Sequence, residues 1–387
     1  MSNATDRAVE ILEKLVGFDT TSRDSNLPLI DWVIEYLAEY GVKGQHVMDG
    51  EKASLVATIP DAGGNELTGG IVLSGHTDVV PVDGQDWVTD PFQLTEKDGQ
   101  LFGRGSSDMK GFIACALAAV PDLVAKPLNR PVHFAFSHDE EIGCLGVHHT
   151  IARLGDLGIK PAISIIGEPT MMRVVNAHKG TTTATTRLRG KEVHSSATPD
   201  GVNAIVYGAK FINILEDIRA ELESRPDDRF TPPFTTISVG VMHGGTATNI
   251  VPKDCEIHWD CRVVPSDNAR DIIEHAQARA EAELLPLMQA VDPTASITTE
   301  LGADVVGLKP EEDGPAEALA KLLAQQNAVE TVAYGTEAGI FQAAGSSAVV
   351  CGPGSIDVAH QPNEFVDRSQ LGECMIFMAR LRDHLTA

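Results

Sequence analysis

The 387-residue chain predicts an α/β protein, a three-layer arrangement in which helices cover both faces of a sheet, interrupted by a smaller inserted α+β domain. Three observations carry this. Runs at 54–59, 70–74, 132–137 and 162–166 are rich in Val and Ile and almost continuously apolar, as strands buried on both faces are. Helical patterns are interleaved with them, which implies a covered sheet. Beyond about residue 180 the pattern turns to alternation of apolar and polar residues, as in a half-exposed strand. The length also exceeds what a single core usually supports.

Taken in order, Val9, Leu12 and Val16 recur at helical spacing, and a second amphipathic helix over 29–40 is stopped by Gly41. Helices are expected at 110–125 and 144–154, each separating two of the buried strands. A strand at 181–189 then opens a series: helix 202–222, strands 235–241 and 255–263, helix 269–285, strand 295–301. The order β-α-β-β-α-β is that of the ferredoxin-like split motif. A helix at 314–326 and a strand at 347–351 resume the first pattern. The expected division is a catalytic domain over 1–179 and 291–387, with the insert over 180–290.

Composition narrows the function. With 30 Lys+Arg against 55 Asp+Glu the formal net charge is −25, which argues against nucleic acid or an anionic membrane as partner. No apolar stretch approaches the roughly 20 residues that span a bilayer, and the amino terminus lacks the apolar core of a secretory signal. Six cysteines without a Cys-x-x-Cys pair read as reduced thiols in a cytoplasmic protein.

The chemistry gathers where the buried strands end. The run at 70–74 leads into Gly75-His76-Thr77-Asp78, that at 132–137 into His138-Asp139-Glu140-Glu141, and that at 162–166 into Gly167-Glu168-Pro169. Ligands of α/β sheets bind beyond the carboxyl ends of the strands, so these segments should share one rim. Asp108 lies in a glycine-rich loop entering a helix, and His360 follows Gly352-Pro353-Gly354. Two histidines with several carboxylates suit Zn²⁺, Co²⁺ or Mn²⁺. Asp108, Glu141 and Glu168 carry three negative charges, so two divalent ions with one hydroxide make a neutral cluster. Asp78 is spaced to accept the second ring N–H of His76. His133, His148, His149 and His178 read as structural.

Ser74-Gly75-His76-Thr77-Asp78-Val79-Val80-Pro81, Gly105-Ser106-Ser107-Asp108-Met109-Lys110-Gly111, Asp139-Glu140-Glu141 and Gly167-Glu168-Pro169-Thr170 together resemble the two-zinc aminoacylase and glutamate carboxypeptidase family of metallohydrolases. The likeness runs from the first helix to the carboxyl terminus. It implies a di-zinc peptidase-like catalytic domain with an inserted dimerisation domain, hence a homodimer. It makes Asp108 the bridging carboxylate, with His76 and Glu168 completing one metal site and His360 and Glu141 the other. It makes Glu140 the general acid/base and Asp78 the partner of His76. It also implies a cis peptide after Asp108. In the insert, His194 matches a family histidine that reaches the partner subunit's active site, and Asn249 and Arg262 match substrate-contacting positions.

Tyr334-Gly335-Thr336-Glu337-Ala338-Gly339 and the segment around His360 are similar to the family members that deacetylate N²-acetyl-L-ornithine. The resemblance therefore implies a small N-acyl amino acid as substrate, with Glu337 reading its distal ammonium. Acetylcitrulline, other N-acyl amino acids, succinyl-diaminopimelate or a peptide are the alternatives within the family, and a non-catalytic metal-binding dimeric scaffold is the distant one.

Overall fold

A computed structural model describes residues 2–386, which divide into two compact units. The first comprises the chain up to Ala177 together with Leu308–Thr331 and the residues from Thr336 onward. The second is His178–Gly307 with Val332–Gly335. The two architectures are those the sequence predicts.

The first unit is built on an eight-stranded sheet in the order Gly44–Asp49, Lys52–Ile59, Val132–Ser137, Ile71–His76, Ile163–Pro169, Ser347–Gly352, Val175–His178, Glu330–Val332. The four central strands, from Val132–Ser137 to Ser347–Gly352, run parallel, and every residue in them is buried. Lys52–Ile59 and Gly44–Asp49 extend one side as an antiparallel pair. Parallel strands need both faces covered, which explains why their sequences do not alternate.

On one face the helices Ser2–Val16, Lys110–Val124 and Arg368–Thr386 pack on one another, joined by Leu27–Glu39 and Pro315–Ala324. Their core includes Leu12, Leu15, Leu29, Val33, Phe112, Leu117, Leu319 and Phe377. The helices Leu145–Asp156 and Ala338–Ala343 contact each other and lie outside this cluster. Lys110–Val124 sits unusually close to the sheet because Gly167 and Gly75 face it. A Cβ at Gly167 would fall 1.9 Å from the Phe112 ring, and one at Gly75 would fall 2.9 Å from Met109. That approach fixes the start of the helix, and so Asp108, at the carboxyl rim of the sheet.

The second unit is a four-stranded antiparallel sheet in the order Thr236–Gly244, Asp254–Val263, Gly180–Arg189, Ser296–Val305. The helices Ala204–Glu223 and Ala269–Glu283 bury one face of it around Phe211, Leu215, Ile218, Ile257, Trp259 and Ala276. The opposite face gives the strands their alternating exposure. The expected boundary at 290 falls short, because Ser296–Val305 pairs with Gly180–Arg189 and the unit continues to Gly307.

Candidate functional site

Beyond the ends of the parallel strands, five side chains converge. His76 closes its strand, and its Nε2 lies 3.0 Å from Asp108 Oδ1 and 3.9 Å from Glu168 Oε1. His360 Nε2 lies 3.2 Å from Asp108 Oδ2 and 2.9 Å from Glu141 Oε2. Asp108 thus turns one carboxylate oxygen to each histidine. Two ligand clusters result, His76 with Asp108 and Glu168, and His360 with Asp108 and Glu141. The first is closed and buried, whereas the His360 side chain is half exposed. The Asp108–Met109 peptide is cis, as the resemblance implies.

The loop that carries Asp108 is held by a group the sequence reading passed over. Glu364 accepts the main-chain N–H groups of Gly105, Ser107 and Asp108 at 3.0, 2.9 and 3.0 Å. Its charge is matched by Arg104 Nη1 at 2.7 Å, with both side chains 1% exposed. A buried carboxylate with four donors is well satisfied. Nothing in the local sequence points to the pairing, since about 260 residues separate the partners.

Asp78 acts differently from expectation. His76 Nδ1 donates to its main-chain carbonyl at 2.9 Å, while its carboxylate is 3.7 Å away. The carboxylate instead accepts the Glu140 N–H at 3.1 Å, the Glu141 N–H at 3.3 Å and the Ser22 hydroxyl at 2.8 Å. Those donors compete for its lone pairs, so it orders the Glu140–Glu141 turn as well as flanking the imidazole. Glu140 accepts Cys144 Sγ–H at its Oε1, 3.2 Å away, which leaves Oε2 available.

Glu337 is enclosed at the same rim. It is 1% exposed, and its carboxylate accepts the hydroxyls of Ser137 and, at 3.3 Å, Ser74. The carboxylate is thus held between serines of two neighbouring parallel strands, one of which carries His76. Burial pushes it up to about 7, with the serine hydrogen bonds opposing.

The electrostatics describe a site built for added positive charge. Burial pushes Glu140 up to about 8 and Glu141 up to about 7, with nearby carboxylates adding to both shifts. Glu168 is raised well above the carboxylate range by burial and by Asp108. Burial works against ionised Asp108 as well, but hydrogen bonds from His360 and His76 hold it below that range. Hydrogen bonds to Asp108 and Glu141 push His360 up to about 10. His76 is raised too, burial being outweighed by Asp108 and Glu168. Protons are drawn to where cations would sit. Glu168 Oε1 is buried without a hydrogen-bond partner among the described residues, as a ligand atom awaiting a metal would be. The donor set and its spacing fit two divalent ions.

The remaining predicted residues lie in the second unit. His194 Nδ1 accepts the Ser196 main-chain N–H at 3.2 Å, which places the ring proton of the neutral imidazole on Nε2. Ser195 N–H donates to the Asn249 carbonyl at 2.9 Å and His194 bridges to Ile250, so the His194 and Asn249 segments lie side by side. Arg262 Nη1 donates to Thr181 Oγ1 at 2.8 Å on the neighbouring strand.

An α/β sheet with two histidine–carboxylate clusters sharing one aspartate at its carboxyl rim defines a metal-dependent hydrolase. The chain belongs to peptidase family M20/M25/M40, whose model matches residues 72–384. It is 37% identical over 386 residues to the acetylornithine deacetylase of Myxococcus xanthus, covering 96% of each chain. Against the acetylornithine deacetylase of Photorhabdus laumondii it is 35% identical over 387 residues, with 97% of this chain and 96% of the relative covered. Among solved structures, an M20 family metallo-carboxypeptidase from Sulfolobus solfataricus aligns with a TM-score of 0.76 at 19% identity, covering 98% and 99% of the two chains. A dinuclear metal binding peptidase of the M20 family from Bacillus subtilis aligns with a TM-score of 0.70 at 16% identity, covering 100% and 99%. At such identities these two share the fold.

Proposed function

We propose that the chain hydrolyses N²-acetyl-L-ornithine to L-ornithine and acetate, a cytoplasmic step supplying ornithine for arginine synthesis. Near full-length similarity to proteins named acetylornithine deacetylase supports the substrate. The observation that carries the reaction is the Asp108 carboxylate, which turns one oxygen to His76 and the other to His360.

His76, Asp108 and Glu168 would hold one ion and His360, Asp108 and Glu141 the other, zinc being the best match to the nitrogen and oxygen donors, with cobalt or manganese as substitutes. Such ions supply Lewis-acid polarisation and make water acidic enough to attack near neutral pH. Glu140 removes a proton from the attacking water at Oε2, then delivers it to the departing amine as the C–N bond breaks. Water is thereby added across the amide, giving the carboxylic acid and the free amine. Asp78 and Ser22 hold the Glu140 turn in register, and Cys144 orients Oε1. His194, with its proton on Nε2, suits stabilisation of the tetrahedral oxyanion. Arg262 and Asn249 would bind the α-carboxylate, the guanidinium contributing two parallel donors.

Homodimerisation through the second unit belongs to the same proposal. The strand Thr236–Gly244 lies at an edge of its sheet, with Val241 42% exposed, and an uncovered edge is a ready surface for pairing.

A panel of acyl-amino acids tests the substrate. Turnover of acetylornithine well above that of acetylcitrulline, acetylmethionine and succinyl-diaminopimelate is expected. A preference for any of the others would move the assignment elsewhere in the family.

A further inference from the structure

Away from the paired clusters, three more donors meet. Asp49 ends the strand Gly44–Asp49, His138 directly follows the strand Val132–Ser137, and His149 lies in the helix Leu145–Asp156. Asp49 Oδ2 is 3.5 Å from His138 Nε2 and 3.6 Å from His149 Nδ1, and the three atoms lie within 4.8 Å of one another. These separations are long beside the roughly 2.7–2.9 Å of a charge-assisted hydrogen bond. They do match a tetrahedral ion, whose ligands, each about 2.0–2.1 Å from the metal, stand about 3.3–3.5 Å apart.

The site has supports of the kind metal ligands have. His138 is fully buried, and its other ring nitrogen, Nδ1, is held by the buried Ser54 hydroxyl at 2.9 Å. That contact fixes the ring and aims Nε2 at Asp49, as outer hydrogen bonds orient ligating histidines. Asp49 and His149 are about half exposed, which opens a path from solvent and leaves a fourth position for water. His149 has no periodic or motif signal in the sequence that would set it apart from a structural histidine. Its partners are 100 and 11 residues away along the chain, and only the fold collects them.

We propose that Asp49, His138 and His149 form a third metal site, separate from the paired centre and selective for a borderline divalent ion such as Zn²⁺, Ni²⁺ or Cu²⁺. Two imidazoles and one carboxylate disfavour Ca²⁺ and Mg²⁺, which take oxygen ligands. The site binds more weakly than the paired centre, because two of its three donors must be ordered from solvent. Its ion ties the end of an edge strand to a helix and to the residue two positions before Glu140. It therefore braces the segment that carries the proposed acid/base without touching substrate.

Equilibrium dialysis of metal-stripped protein against a series of buffered free Zn²⁺ concentrations, with bound zinc counted by mass spectrometry, tests this. Wild type is expected to bind one equivalent more per chain at saturation than His149→Ala or Asp49→Ala. His275→Ala, which removes a surface histidine 3.8 Å from Glu221, is expected to match wild type. With the paired centre already filled by zinc, added Cu²⁺ should give an electron paramagnetic resonance signal with hyperfine coupling to two imidazole nitrogens, lost in His149→Ala. The same stoichiometry in wild type and His149→Ala overturns the proposal, as does an equal loss in His275→Ala. The readout is a difference between variants, so it stands or falls independently of the substrate assignment.

Discussion

The Glu364 carboxylate accepts the main-chain N–H of Asp108 at 3.0 Å, and the same group is paired with buried Arg104. The aspartate shared by both ligand clusters is therefore held from behind by a charge outside either cluster. Glu364→Gln keeps the shape but removes the charge facing Arg104. Breaking one side of a buried ion pair typically costs about 3–5 kcal/mol. A lower melting temperature and reduced metal content are expected, measured by calorimetry and elemental analysis. Wild-type values for both would show that the loop orders itself without Glu364.

Glu140 touches neither histidine as a ligand, and its Oε2 is left available by Cys144. Glu140→Gln should retain metal content and lose about 10²–10⁴-fold in kcat, the usual scale of general acid–base catalysis. Elemental analysis beside steady-state kinetics checks this. Turnover close to wild type would remove Glu140 from the role.

Like His178, which burial also pushes down to about 4, His133 contributes to the pH dependence of folding. It is fully buried in the sheet, its Nδ1 meets Thr58 Oγ1 at 2.9 Å, and burial pushes it down to about 4 from the ordinary 6.5. The unfolded chain binds this proton more readily, so stability is fully present above pH 6.5 and is lost as pH falls towards 4. The contribution is about 3 kcal/mol across that window. Denaturant unfolding at pH 7 and pH 4.5 should show a smaller drop in His133→Gln than in wild type. An equal drop would assign acid sensitivity to other groups.

The exposed edge strand gives a test of assembly. Wild type should sediment as a dimer, and Val241→Asp, which places a charge on the edge strand, should shift it towards monomer. A monomeric wild type would contradict pairing through the second unit.

Much of this arrangement was legible in the sequence because burial and chemistry leave local marks. Continuous Val and Ile runs mark the buried strands, and His76 and Glu168 each stand at the end of one, while Glu140 and Glu141 follow the end of another. The inserted sheet announced itself through alternation over 181–189, observed as the strand Gly180–Arg189. What was not legible depends on contacts distant in sequence or on weak patterns. The strands Gly44–Asp49 and Val175–His178 are short or partly exposed, and the helix Ala338–Ala343 has only six residues. The roles of Ser22, Ser74, Ser137 and Glu364 come from hydrogen bonds spanning 56 to 263 residues. Glu337 stands beside a family motif, but the enclosure of its carboxylate by Ser137 and Ser74 depends on partners 200 and 263 residues away.

On the proposed function, ornithine is released from N²-acetyl-L-ornithine by residues organised around two divalent ions. The most direct measurement follows ornithine release by metal-stripped protein as Zn²⁺ is titrated back. Negligible turnover without metal, rising as the His76 and His360 clusters fill, is the predicted result. Undiminished turnover by the stripped protein, or none by the fully loaded protein, would contradict it.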